Sequence, residues 1–265
     1  MKINYRPEID GLRAIAVGLV ILYHAKIFIF GQNFFKGGFI GVDIFFVISG
    51  YLITSIILKE YISTGVISIG FFYERRIRRI LPVLLVVMIA SFQFAWMYLL
   101  PESFIEYSKS ILYSIGFSSN FFFHYSGREY GAPSALYIPF LHTWSLSIEE
   151  QFYIIFPITL LILCRYFKKY LIHILFFVFF ISFGLSEWTS RNYPSTSFYF
   201  PHTRIWELLA GSILAFFEIT NGHRNRSYIL NKTLPIVGLT LIFGSVLLYS
   251  DEIAHPSIYT LLPIT

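Results

Sequence analysis

The feature that most constrains this chain is the recurrence of apolar runs about 20 residues long, the length an α-helix needs to cross a bilayer. They occupy residues 12–30, 38–58, 80–100, 145–164, 171–186, 203–219 and 233–249. A weaker run at 104–124 is interrupted by Gly116, Ser118, Ser119 and Asn120. In lipid every backbone N–H and C=O must be satisfied within the segment, so runs of this kind fold as helices. Composition agrees: 56% of the 265 residues are hydrophobic and 13% are charged, roughly half the charge of a soluble domain. Disorder is excluded, since it needs low hydrophobicity and high charge. A soluble globule is excluded because one core of this size could not bury so much apolar surface. The composition fits neither collagen nor a coiled coil, and the single cysteine, Cys164, rules out a disulfide-stapled domain. The expected fold class is all-α, a polytopic helical membrane protein with about seven full spans and a re-entrant segment at 104–124.

Orientation follows from the cations. The formal net charge is +5, carried in clusters between apolar runs: Lys2, Arg6 and Arg13; Arg75, Arg76, Arg78 and Arg79; Arg165, Lys168 and Lys169; Arg224, Arg226 and Lys232. This is the positive-inside pattern of membrane proteins, not a nucleic-acid patch. With all four clusters cytoplasmic, the chain crosses an even number of times between Arg79 and Arg165. The runs 80–100 and 145–164 already supply two crossings, so 104–124 is expected to re-enter, covered by protein. The N-terminus is then inside and the C-terminus outside, with outer loops at 31–37, 101–144, 187–202 and 250–265. No small-residue cleavage site follows the first run, which reads as a retained span. No internal repeat is visible, which disfavours transporters built from inverted repeats.

Ionisable side chains inside spans are costly and mark candidate sites. Arg13 and His24 are eleven residues apart, which places them on one helix face about 16 Å apart along the axis. They are either working groups or a snorkelling Arg and a structural His. Asp43 lies about 8 Å into the second run, near the depth of His24. It could fix the imidazole tautomer from there. The alternatives are a buried ion pair or satisfaction by backbone at Gly41. Arg75/Arg78 and Arg76/Arg79 are each three apart and share a face. Such forks suit a phosphate, but spacing alone favours a stop-transfer cluster on anionic lipid. Glu149 and Glu150 are adjacent, so at most one is expected to face the bundle centre squarely. His142 and Trp144 precede them at the outer interface. Arg204 and Glu207, three apart, could pair with each other on a helix surface. The seven histidines are scattered, with no spacing typical of a metal site.

These strings resemble a known family. Arg6-Pro7-Glu8-Ile9-Asp10-Gly11-Leu12-Arg13-Ala14 with His24 eleven after Arg13, the run Gly41 to Ile53, and Phe72 to Pro82 around the arginines all look like the acyltransferase-3 family. So do His142 to Tyr153 and Pro201 to Leu209. The subtype resembled is the bacterial O-antigen and peptidoglycan O-acetylase group. The resemblance implies an integral-membrane O-acyltransferase of the bacterial inner membrane. It would take an acyl group, usually acetyl, from cytoplasmic acyl-CoA to a hydroxyl of an extracytoplasmic glycan. Arg13 and His24 match the family's Arg-x10-His motif, implicated in catalysis, and the four arginines match its coenzyme-A phosphate motif. Glu149 occupies its more constant acidic position. Asp43 and Glu149 join the expected catalytic set, and His142, Trp144, Arg204 and Glu207 the expected acceptor side.

Relative to the family's usual ten spans, three C-terminal spans and a soluble SGNH-type domain are missing, so an incomplete membrane domain over 1–265 is expected. Membrane lipid and a cell-envelope glycan are the expected partners, with lipopolysaccharide, peptidoglycan and exported polysaccharide all open as acceptor. The rivals are a transporter or flippase for a glycolipid or ion, and an inactive truncated remnant.

Overall fold

A computed structural model describes residues 6–29, 32–126, 138–221, 228–250 and 253–264. Lys2, Arg224 and Arg226 of the basic clusters, Phe30 at the end of the first run, and loop residues 127–137 lie outside them. The helices are α1 (Pro7–Ala25), α2 (Gly41–Thr64), α3 (Ile69–Tyr98), α4 (Pro101–Ile115), α5 (Ser119–Tyr125), α6 (Thr143–Tyr166), α7 (Leu171–Asn192), α8 (Pro194–Tyr199), α9 (Ile205–Asn221), α10 (Tyr228–Leu248) and α11 (Leu261–Ile264). A two-rung antiparallel ladder pairs Phe28–Ile29 with Gln32–Asn33.

Among the described residues five helical stretches are long and apolar enough to cross a membrane: Lys36–Thr64, Ile69–Tyr98, Thr143–Tyr166, Lys168–Asn192 and Asn231–Leu248. The chain is thus a multi-pass helical membrane protein. The expected spans at 12–30 and 203–219 are also helical, but α1 carries Glu8, Asp10 and Arg13 and α9 has 17 residues. The first helix is displaced from the expected 12–30. It starts at Pro7, where a missing N–H costs nothing, with Glu8 and Asp10 at the positive end of its dipole. It stops where Lys26 turns left-handed and its N–H reaches the Tyr23 carbonyl. Helix α3 begins well before residue 80, so the four arginines sit inside its first turns and not ahead of it.

The segment 104–124 is two helices. Phe117 has φ 48, and the Ser118 N–H bonds to the Tyr113 carbonyl at 2.8 Å. Helix α4 alone, 15 residues, is about 22 Å long, short of a hydrocarbon core of about 30 Å.

The described residues group into two compact units. The first comprises the stretches up to Gly65, Leu163–Phe198 and from His202 onward; the second comprises Val66–Ile162 with Tyr199–Pro201. In the first unit α2 is central, burying Ile44, Ile48 and Tyr51 with Ala16 and Leu19 of α1, Ala215 of α9 and Ile242 of α10. Its crossing with α9 is a backbone contact. A Cβ on Gly50 would lie 1.8 Å from the Leu208 oxygen, and one on Gly211 would lie 1.9 Å from the Val47 oxygen. Small residues at such crossings let membrane helices gain dispersion where no hydrophobic force drives them together.

In the second unit, Leu84, Met88 and Ala95 of α3 pack with Tyr107 and Phe140. Thr143, Ser147 and Gln151 recur every four residues and share one face of α6. That face holds α4 and α5. Thr143 Oγ1 meets Ser114 Oγ at 2.8 Å and donates to Ser119 Oγ at 2.9 Å; Ser119 Oγ meets Ser147 Oγ at 2.8 Å. Gln151 Nε2 donates to the Phe117 carbonyl and to Asn120 Oδ1, and Asn120 Nδ2 donates to the Tyr199 carbonyl. The broken backbone at Gly116–Ser118 is therefore satisfied by protein, the condition for irregular chain at membrane depth. Val83, Val86, Ile89, Phe94 and Trp96 of α3 are exposed, an apolar surface that suits lipid tails.

Candidate active site

In the first unit, Arg13 lies 3.7 Å from Asp10 with its guanidinium 5.5 Å from the Phe45 ring centroid. His24 is exposed, and its Nδ1 lies 2.8 Å from the carbonyl of Val20, one turn earlier. A carbonyl only accepts, so Nδ1 carries the hydrogen and the basic nitrogen of the neutral ring is Nε2. The backbone of α1 thus sets the tautomer a general base needs.

The expected pairing of Asp43 with His24 is corrected. Asp43 Oδ1 accepts from Arg204 Nη1 at 3.0 Å and lies 3.3 Å from His255 Nε2. Arg204 is placed by its own carbonyl, which accepts the Glu207 N–H at 3.1 Å as α9 begins. Its Nη1 also donates to Glu207 Oε1 at 2.8 Å, and the guanidinium sits 5.4 Å from the ring centroids of both Phe46 and Phe198. The expected Arg204–Glu207 pair exists, but in the interior and not on a helix surface. Asp43, Arg204 and Glu207 are all 0% exposed, because the glycine crossing brings the start of α2 against the start of α9.

The cluster sets two carboxylates against one guanidinium. Removing the cation leaves both acids without the guanidinium they share, whereas replacing one acid leaves the other to pair with it. Arg204→Met is accordingly expected to cost about 3–5 kcal/mol, and Asp43→Asn clearly less, in detergent thermal unfolding. Equal losses would refute the charge argument.

A chain of rings joins the cluster to the candidate base. Tyr23 is edge-on to His24 (4.9 Å) and to Phe39 (5.8 Å), and Phe39 is edge-on to His255 (4.8 Å). Further along α2 lies a second group. Arg6 donates to Glu8, to Glu218 Oε1 (2.7 Å) and to the Tyr51 hydroxyl, and that hydroxyl donates to Glu218 Oε2 at 2.7 Å. Sequence reasoning quoted Arg6 in a motif but gave it no partner. Nothing in the spacing pointed to Glu218 or to His255.

In the second unit the four arginines divide. Arg76 is half-buried with its guanidinium 4.6 Å from the Tyr153 ring centroid. Arg75, Arg78 and Arg79 are exposed; Arg75 lies over Phe71, and Arg78 pairs with Glu74 at 2.8 Å. Both acids of α6 are buried. Glu149 Oε2 accepts from the Tyr153 hydroxyl at 2.9 Å, and Glu150 Oε1 has no hydrogen-bond partner among the described residues. Trp144 is buried edge-on to Tyr199, while His142 is exposed and stacked on Phe140. Arg76→Ala is therefore expected to lower the thermal midpoint, and Arg78→Ala to leave it unchanged. The reverse order would show that Arg76 does not belong to the packed interior. Among the described residues no group of three or more His, Cys, Asp or Glu is placed to hold a metal.

The profile of a family described as an acyltransferase domain, the acyltransferase-3 family, matches residues 6–265. An inferred O-acetyltransferase of Staphylococcus aureus strain MSSA476 is 42% identical over 219 residues, 81% of this chain and 35% of that protein. The O-acetyltransferase OatA of strain NCTC 8325 is 39% identical over 221 residues, 80% of this chain and 35% of its own. The chain thus spans about a third of the length of these relatives. No solved structure matches.

Proposed function

The chain belongs to the acyltransferase-3 family, and from that premise we propose that it acts in acetyl transfer from cytoplasmic acetyl-CoA to a hydroxyl of an extracytoplasmic cell-envelope glycan. The membrane is the bacterial inner membrane, with the N-terminus in the cytoplasm. The observation that carries this reading is His24, whose tautomer is set by the Val20 carbonyl and whose ring is linked to the buried Asp43–Arg204–Glu207 cluster. Arg75, Arg78 and Arg79, exposed at the start of α3, hold the phosphates of the donor, with Arg76 supporting them from its seat on Tyr153.

His24 Nε2 takes the proton of the acceptor hydroxyl as its oxygen attacks the thioester carbonyl. The acceptor O–H and donor C–S bonds break, a C–O bond forms, and the proton ends on the departing thiol. Arg13 orients the donor or offsets developing negative charge. In the first unit the buried Asp43, Arg204 and Glu207 act by positioning; in the second unit the exposed His142 serves the acceptor, and the buried Glu149 and Trp144 act by positioning.

The orientation rests on the basic clusters between the apolar runs. In the first unit the end of α1, the start of α2, the end of α7 and the start of α9 converge, as Ser186 and Glu187 bond the segment that carries His255. The test is label transfer from radiolabelled acetyl-CoA in membranes containing the chain, against an empty-vector control. Labelled glycan with release of free thiol is the expected result. Movement of a glycolipid across the membrane without thiol release would replace the enzyme by a transporter.

A further inference from the structure

Glu150 is 7% exposed, and its Oε1 has no hydrogen-bond partner among the described residues. A buried acceptor left without a donor is costly, so this oxygen points to a donor brought by a ligand. The donors beside it on α6 are already spent. The Tyr153 hydroxyl donates to Glu149 Oε2 at 2.9 Å, and the Gln151 amide donates to the Phe117 carbonyl and to Asn120 Oδ1. Glu150 and Tyr153 are three apart and share a face of the helix. On that face Arg76 stands with its guanidinium 4.6 Å from the Tyr153 ring centroid, near enough for its charge to act on Glu150.

The level of this group along α6 says which part of a ligand would meet it. The Tyr73 hydroxyl donates to the Ile154 carbonyl at 2.6 Å, so the first turns of α3 meet α6 near Tyr153. That level is about 15 Å from Thr143, where α6 begins, and Glu150 lies about 4.5 Å nearer to Thr143. Glu150 is thus one step past the arginines, on the way to the end of α6 that is extracytoplasmic in the proposed orientation. An acyl-CoA with its phosphates on Arg75, Arg78 and Arg79 carries an amide-bearing arm between those phosphates and its thioester. An amide N–H that leaves water needs an acceptor. A carboxyl oxygen accepts whether the group is ionised or protonated, so the match does not depend on the charge of Glu150.

We propose that Glu150 is a donor-binding residue, its Oε1 accepting a hydrogen bond from an amide N–H of the pantetheine arm of the acyl-CoA. This rests on the function proposed above and names the part of the donor that is recognised beyond its phosphates. The arginines grip any phosphorylated nucleotide alike, whereas Glu150 selects one that carries the arm.

The test is equilibrium binding to the full chain in nanodiscs. Two ligands are compared: coenzyme A, and phosphoadenosine diphosphate, the same nucleotide without the arm. Glu150→Leu is expected to weaken coenzyme A about tenfold, the worth of one hydrogen bond, and to leave phosphoadenosine diphosphate unchanged. That unchanged binding also reports that the variant is folded. Glu150→Gln keeps an acceptor oxygen and should bind coenzyme A within about twofold of wild type. Arg78→Ala should weaken both ligands alike. Wild-type affinity for coenzyme A in Glu150→Leu overturns the proposal. So does a Gln variant as weak as the Leu variant, which would make Glu150 a charge partner of Arg76 and not an acceptor. A readout on the unaltered chain needs no variant: coenzyme A methylated at its arm amides, and so lacking the N–H, is expected to bind about tenfold more weakly than coenzyme A. Equal binding overturns the proposal. Failure of the underlying reading looks different, since a wild-type chain that binds neither coenzyme A nor phosphoadenosine diphosphate removes the acyl-CoA donor and Glu150 with it.

Discussion

His24→Ala is expected to lower acetyl transfer by about a thousandfold while leaving the amount of protein in the membrane unchanged. The side chain is exposed and its Nδ1 bonds a carbonyl of its own helix, so truncating it opens no cavity. The chemistry, by contrast, has no substitute. An alcohol oxygen must shed a proton as it attacks a thioester, and a neutral imidazole is the side chain best matched to that task near neutral pH. His24→Gln should fail as completely as His24→Ala, because an amide keeps the shape but cannot take the proton. The measurement is labelled acetyl in glycan normalised to protein by immunoblot. Transfer at the wild-type rate in His24→Gln would remove His24 from the chemistry.

The second large effect concerns assembly. Gly50→Ala and Gly211→Ala each put a methyl carbon within 2 Å of a carbonyl oxygen on the opposing helix. Neither neighbour is a side-chain end that can swing aside, so α2 and α9 must separate. The separation loosens the packing around Ser212 and the seat of Arg204 against Asp43. A loss of about 3 kcal/mol or more is expected from overpacking, read as a lower thermal midpoint and reduced accumulation. Gly238→Ala and Gly244→Ala are the internal controls. Nothing lies within 4 Å of an added Cβ at either position, and exchange of Gly for Ala in a helix favours the helix by up to about 1 kcal/mol. If all four variants behaved alike, the crossing would not be the constraint described.

The spans were legible because apolar length is a local property and the membrane enforces it. The break in 104–124 was legible too, since Gly116, Ser118, Ser119 and Asn120 are poor material for a continuous apolar helix. The polar face Thr143–Ser147–Gln151 was present in the spacing but overshadowed by Glu149 and Glu150. The partners of Asp43 could not be read locally: Arg204 is separated from it by 161 positions, and only the glycine crossing brings the two together. Arg76 was indistinguishable from Arg75, Arg78 and Arg79 in sequence, since four cations in five positions look alike until the helix meets Tyr153. Glu218, which joins Arg6 and Tyr51, lay outside every recognised string.

The distance along the chain between Asp43 and Arg204 also sets a timetable. At ordinary elongation rates of about 5–20 residues per second, the ribosome needs roughly 8–30 s to advance the 161 positions from Asp43 to Arg204. During that wait α2 is already complete, carrying an acid whose counter-ion does not yet exist. Asp43 waits without that partner until α9 arrives. The glycine crossing and the ion pair then form in a single late event. Closure of the first unit is thus a checkpoint in biogenesis, and a nascent chain halted before α9 should present an orphaned carboxyl to the quality-control proteases of its membrane.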